Sequence, residues 1–145
     1  MIVTNLRQVV AGMDKVIAGV DAGTKRAVVE MAATAERFAK QEASTGTHKR
    51  GEPHIPGTGP GPNVVTGSLR RSIRFVVHRS GFAAYSATVG PTVNYGRAVE
   101  LGGDYGPPSW RGTSAEKGFP FMRGALQKLR PLMHGILAKH IGGMR

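Results

Sequence analysis

The stretch that decides the fold is Asn63 to Arg79, which reads NVVTGSLRRSIRFVVHR. Thr66 belongs to the residue types that cap a helix by accepting a hydrogen bond from a free backbone N–H, and Ser68 to Arg71 can complete about one helical turn. From Ile73 to Arg79 the residues are β-branched, aromatic or basic, which is typical of a strand. The sequence therefore predicts a short helical turn that runs directly into a β-strand.

A second apolar run, Phe82 to Val89, follows a turn signal at Ser80-Gly81. Two such runs on either side of a glycine turn predict an antiparallel hairpin. Because side chains alternate between the two faces of a strand, the first strand is expected to have one apolar and one mixed face. The apolar face holds Ile73, Phe75 and Val77, and the mixed face holds Arg74, Val76 and His78.

The longest periodic segment lies at the amino end, from about Asn5 to Ala43. Residues that are mostly apolar recur there in steps of three or four, the period of one helical face. They are Leu6, Val10, Met13, Ile17, Val20, Thr24, Ala27, Met31, Ala35 and Phe38. A break near Val20 to Thr24, caused by nearby glycines, would give two packed helices as the alternative.

A single helix of that length would run about 55 to 60 Å, which exceeds the diameter of so small a domain. Part of the helix must therefore project or pack on another chain. The candidate apolar interface residues are Leu6, Val10, Met13, Ile17 and Val20, together with Trp110 in a later loop. Trp110 could anchor an interface or pack on the domain's own core, and the sequence does not decide between these two roles.

The carboxy-terminal half adds two predicted helices. A short one falls within Pro91 to Gly103, and Phe119-Pro120-Phe121 opens the last one, with Pro120 near the first helical position. Pro131 is expected to kink or divide this last helix after Leu129. Its inward stripe is expected to hold Phe121, Ala125, Leu129, Leu132, Ile136 and Leu137.

At 145 residues the chain suits one domain of the α+β class. We expect a long amino-terminal helix over 1–43 and a glycine- and proline-rich loop over 44–65. A sheet-and-helix core over 66–145 would contain a further irregular stretch at 104–118. The long helix and the carboxy-terminal helix would pack on a small antiparallel β-sheet.

Twenty Lys and Arg against nine Asp and Glu give a net charge of +11, which favours a polyanionic or acidic partner. The candidate basic residues are Arg70, Arg71, Arg74 and Arg79 near the first strand, and Arg123, Lys128 and Arg130 in the last helix. These basic side chains could dock another protein, contact DNA or simply be solvated, and the sequence leaves all three roles as alternatives. An acidic counterpart within one copy is not obvious, and Glu100 is expected to form a salt bridge with an arginine.

The sequence contains no catalytic motif, so we expect a protein that is not an enzyme and holds no cofactor. His134 and His140 are six residues apart, which places them on different helical faces and argues against a shared metal. There is no cysteine, and no apolar run approaches the roughly 18 residues of a membrane span. Without a signal-peptide pattern, the expectation is a soluble protein made in a cytoplasm.

Three short motifs resemble those of a known family. They are Thr66 to Ile73 (with Thr66, Gly67, Leu69, Ser72 and Ile73), Tyr95 to Gly102 (with Tyr95, Glu100 and Gly102), and Pro120 to Ala125 (with Pro120 and Phe121). Their order and spacing resemble the small neck proteins of tailed phages, the head–tail joining or tail-completion family. Residues 1 to 62 match that family only in general character.

This resemblance implies a structural virion protein, assembled in the host cytoplasm and located in the neck of a siphophage-like particle. It implies a ring of about six or twelve copies that joins the DNA-filled head to the tail, with a short helix lying against the sheet. Its partners would be other copies, neighbouring neck and tail proteins, and genomic DNA in the channel as a further candidate. The alternatives are a basic nucleic-acid-binding protein and a tail-terminator or tail-tube-end subunit.

Overall fold

The computed structural model describes residues 2–45, 67–102 and 118–142, with side chains from residue 6 onward. Along the chain, helices and strands follow in the order α1 (Ile2–Glu42), α2 (Ser68–Ser72), β1 (Ile73–Gly81), β2 (Ala84–Pro91), α3 (Gly96–Leu101) and α4 (Phe121–Ile141). The fold is α+β, as the sequence predicts. Thr66, Trp110 and most of the predicted loops 44–65 and 104–118 lie outside the described residues.

Helix α1 is one continuous helix of 41 residues, about 60 Å long. The alternative with a break near Val20 to Thr24 is therefore wrong. Tertiary packing explains the continuity, because the second half of α1 is held by the hairpin and by α4. The residues that it buries are small, namely Ala27, Ala32, Ala39 and Ala43, and so let its neighbours approach closely.

Strands β1 and β2 form a two-stranded antiparallel sheet in which Ile73 pairs with Pro91 and Phe75 with Val89. The apolar face of β1 is confirmed, since Ile73 is buried and Phe75 and Val77 are half-buried, whereas the mixed face is exposed. The predicted turn is displaced. A bulge between Arg79 and Gly81 shifts the register, so the chain reverses at Phe82-Ala83 rather than at Ser80-Gly81.

Helix α2 forms where the sequence predicts it. The residue at its N-cap position is Gly67, with φ of 71°, whereas Thr66, the predicted cap, lies outside the described residues. Glycine adopts this left-handed conformation without the steric penalty of a Cβ atom. A left-handed glycine therefore sets the chain direction into α2.

Helix α4 runs antiparallel to α1, because Lys128 binds Glu42 while Lys139, further along α4, binds Glu30. It continues through Pro131, so of the two expected effects of this proline, a kink or a division, the division does not occur. Pro120 occupies the N-cap position rather than the first helical position.

The inward stripe predicted for α4 is only partly confirmed. Phe121, Ala125 and Leu129 are buried, but Leu132 and Leu137 are 44% and 42% exposed. The reason is that only the first turns of α4 reach the core cluster. That cluster consists of Ala39, Ala43, Ile73, Val99, Phe119, Phe121 and Ala125.

Candidate interaction site

The amino-terminal part of α1 projects from the rest of the chain. Every residue from 6 to 18 is exposed, and we call this segment the arm. The hairpin tip reaches α1 only as far back as Asp21, which binds the N–H of Ala83. Near the end of α4, His140 binds Glu30 and lines a shallow pocket with α1 residues as far back as Ala22. Within the described residues, both neighbours of α1 thus end before the arm begins.

The arm carries one apolar face. Its large apolar side chains are between 47 and 63% exposed; they are Leu6, Val9, Val10, Met13, Val16 and Ile17. At about 100° per residue these positions cover an arc of roughly 120°. Four of the five α1 residues predicted to lie in an interface are thus exposed to solvent. The fifth, Val20, is half-buried next to the position where the hairpin tip contacts α1.

Val9 and Val16 were not singled out from the sequence. They sit three residues after Leu6 and Met13, and this spacing was the signal that could have identified them.

An open apolar groove lies on the packed half of the molecule. It has a volume of about 600 Å³ between α1, β2 and α4. Its apolar lining includes Met31 and Ala35 from α1, Ala87 and Val89 from β2, and Leu126 and Met133 from α4. Met31 and Ala35 belong to the apolar stripe that the sequence indicates for α1, and the structure leaves them only partly covered. The groove itself depends on how three elements pack and was not predicted.

Four acidic residues of α1 bind basic side chains of the chain itself. Asp21 lies 3.3 Å from Arg79, Glu30 lies 2.9 Å from Lys139, Glu36 lies 4.0 Å from Arg74, and Glu42 contacts Lys128. The chain thus supplies acidic partners for part of its own basic surface, contrary to the expectation from its sequence. All seven predicted basic residues are exposed, and Arg74, Arg79 and Lys128 are the three that these ion pairs engage.

The ion pairs are accompanied by pKa shifts. The backbone N–H of Ala83, followed by the Tyr85 hydroxyl and Arg79, holds the pKa of Asp21 below its ordinary value against an opposing effect of burial. Hydrogen bonds from Lys139 and His140 lower the pKa of Glu30. Burial and the hydrogen bond to Asp21 raise the pKa of Tyr85. Each shift favours the charge state in which the contact forms.

Glu100 has a role that the sequence did not indicate. Its carboxylate accepts hydrogen bonds from the backbone N–H groups of Met122 at 2.9 Å and Arg123 at 3.2 Å. These are free donors in the first turn of α4, where the N-cap residue Pro120 offers no side-chain bond. In the part of the chain that the structure describes, Glu100 thus binds the amino end of a helix and not the predicted arginine side chain.

The three family-like motifs meet at the core. Leu69, Ile73, Val99 and Phe121 pack together, and the N–H of Phe119 binds the carbonyl of Val99 at 2.7 Å. Other motif residues shape the backbone around this cluster. Ser72 donates its hydroxyl to the Leu69 carbonyl, Gly102 ends α3 with φ of 63°, and Tyr95 is the half-exposed residue before α3. The motif residues thus build the fold and hold its helices together.

The two histidines of α4 belong to no metal site formed by the described residues. His140 binds Glu30, and His134 is exposed. Within residues 2–45, 67–102 and 118–142, no group of three or more His, Asp or Glu side chains is placed to hold a metal ion. No helix in this part of the chain is long and apolar enough to span a membrane.

No family model matches the chain, and comparisons with curated proteins and with solved structures find no similar protein. The function therefore has to be inferred from the arm, the groove and the charged contacts, together with the motif resemblance.

Proposed function

We propose that this chain is a structural subunit of a tailed-phage neck, where copies form a ring that joins the DNA-filled head to the tail. The observation that carries the proposal is the arm, which exposes six large apolar side chains on one helical face. A contiguous apolar face of this kind is typical of a protein–protein interface. The chain can thus be expected to work in an assembly.

The arrangement of surfaces favours a ring. The arm and the groove are different surfaces of one chain, and an interface between different surfaces generates rings when the rotation between copies closes. The motif residues support the same role, because they stabilise the packing of α2, α3 and α4 rather than lining a reaction centre. A scaffold that presents docking surfaces is what a joining protein requires.

The distribution of charge favours this role over direct nucleic-acid binding. Arg74, Arg79 and Lys128 each lie near a carboxylate of α1, which reduces the positive charge that they offer to phosphate. The exposed arginines Arg70, Arg71, Arg123 and Arg130 are the candidates for contact with an adjacent ring or with DNA in the channel.

The proposal is tested by electron microscopy of particles made by the encoding phage after deletion of this gene. We expect DNA-filled heads and finished tails that remain separate, and we expect the wild-type gene supplied in trans to restore joined particles. Joined, infectious particles in the deletion strain would contradict the neck assignment. Tails of uneven length would instead indicate the tail-terminator alternative.

The nucleic-acid alternative is tested by titrating the purified protein with duplex DNA at increasing salt. Binding through phosphate contacts falls steeply with salt, whereas an association of apolar surfaces tolerates it. Tight, salt-sensitive DNA binding that is lost when Arg70 and Arg71 are replaced by Ala would favour the alternative.

A further inference from the structure

We propose that the arm of one copy lies in the apolar groove of a second copy. The arm cannot fill the groove of its own chain, because α1 forms one wall of that groove and continues as the same unbroken helix into the arm. A straight helix leads the arm away from its own groove. A second copy therefore supplies the occupant, and its arm has the required chemistry.

The two surfaces match in length. The apolar face of the arm extends from Leu6 to Ile17, eleven residue steps and about 16 Å along the helix axis. The wall that α4 contributes to the groove extends from Met122 to Met133, also eleven steps and about 16 Å. A helix of this length can contact the groove along its whole wall.

The two surfaces also match in chemistry. An amphipathic helix typically binds a hydrophobic groove through anchors spaced three and four residues apart, the spacing of Leu6, Val10, Met13 and Ile17. The groove presents Met31, Met122 and Met133, whose flexible side chains adapt to an inserted helix. Burial of the apolar face would leave no charged side chain of the arm buried without a partner, because Arg7, Asp14 and Lys15 fall outside the apolar arc.

The arm offers a sizeable apolar surface for the contact. Six large apolar side chains that are about half exposed amount to roughly 500 Å² of surface on the arm. A standard interface buries about 800 Å² on each partner, so a single arm–groove contact is smaller than standard. A subunit that donates its arm on one side and offers its groove on the other makes the contact twice.

In the proposed neck ring, the arm–groove contact would join neighbouring subunits. Only this role of the contact rests on the proposed function. Because arm and groove are different surfaces, every bound pair leaves one arm and one groove open for further copies. Successive contacts then build a closed ring or an open chain, depending on the rotation between neighbours.

Disulfide trapping tests the contact directly, because the chain contains no cysteine of its own. Val10→Cys places a thiol on the apolar face of the arm, and Leu126→Cys places one in the groove; both positions are about half exposed, so neither change should disturb folding. When the two purified variants are mixed under mild oxidation, we expect a disulfide-linked dimer. Gln8→Cys, on the opposite side of the arm helix, is the matched control with Leu126→Cys.

The proposal requires about tenfold more linked dimer from the Val10→Cys mixture than from the control mixture. Equal yields from the two mixtures would overturn it. Preferential linkage of Val10→Cys to itself would also overturn it, because arms would then pair with arms rather than with grooves.

Sedimentation provides a second measurement in the full chain. Val10→Asp places a charge on the apolar face and should weaken self-association roughly tenfold or more, whereas Gln8→Asp should leave it unchanged. A wild-type chain that stays monomeric at high concentration would overturn the arm–groove contact without affecting the neck assignment. Joined particles from the deletion strain would overturn the neck assignment without affecting the trapped dimer.

Discussion

The carboxylate of Asp21 in α1 accepts a hydrogen bond from the hydroxyl of Tyr85 in β2 at 2.9 Å. The same carboxylate accepts a 2.8 Å hydrogen bond from the backbone N–H of Ala83, a turn residue with a positive φ of 48°, and lies 3.3 Å from Arg79. One acidic side chain thus fastens the hairpin tip to the long helix. It does so just after the arm ends and the packed half of α1 begins.

Asp21→Ala is expected to lower the melting temperature more than Asp21→Asn. Alanine removes every acceptor, whereas the asparagine oxygen can still accept from the N–H of Ala83. Thermal unfolding followed by circular dichroism measures the difference. Asp14→Ala in the exposed arm is the control and should leave the melting temperature unchanged; a comparable loss for that variant would contradict this role of Asp21.

Stability is expected to fall in acid because the pKa values of Asp21 and Glu30 are lowered in the folded chain. A carboxylate with a lowered folded pKa stabilises the fold fully above its ordinary pKa, here 3.8 for Asp21 and 4.5 for Glu30. That stabilisation shrinks below those values and is lost once the pH falls through the lower, folded pKa.

Urea unfolding at a series of pH values between about 6 and 2 measures this effect. The double variant Asp21→Asn with Glu30→Gln should be less stable at neutral pH and should lose less stability on acidification. If the double variant lost as much stability in acid as the wild type, the acid sensitivity would come from other carboxylates and the prediction would be wrong.

The features predicted from the sequence are those that depend on local pattern. The helical period of α1 and the alternation of β1 each arise from residues that are close together in the sequence, and both appear in the structure. The projecting arm also followed from local pattern, because a helix as long as α1 exceeds the size of the domain.

The features that the sequence did not reveal depend on residues far apart in the chain. Asp21 and Arg79 are 58 positions apart, and Glu30 and His140 are 110 apart. Their pairing follows from the antiparallel placement of the hairpin and α4 along α1, which no short window encodes. The displaced hairpin turn has a different cause, since one extra residue in a strand shifts every later pair.

Glu100→Ala is expected to destabilise the chain by about 0.5–2 kcal/mol, the usual cost of losing a helix cap. The variant leaves the N–H groups of Met122 and Arg123 without this acceptor at the start of α4. Glu100→Gln keeps an acceptor oxygen and should cost less. The free energy of unfolding in urea distinguishes the two variants, and equal losses would indicate that the charge rather than the acceptor matters.

Two glycines should respond in opposite directions to replacement by alanine. Gly118 has φ of 67°, and an added Cβ would lie 2.5 Å from the carbonyl carbon of Leu101, so Gly118→Ala should destabilise the chain by about 1–3 kcal/mol or more. Gly135 lies in α4, where an added Cβ meets no atom within 4 Å, so Gly135→Ala should stabilise by up to about 1 kcal/mol. Urea unfolding of both variants beside the wild type measures the two shifts. A neutral Gly118→Ala would show that the approach of residue 118 to the end of α3 can relax, and would contradict the tight junction described here between α3 and the start of α4.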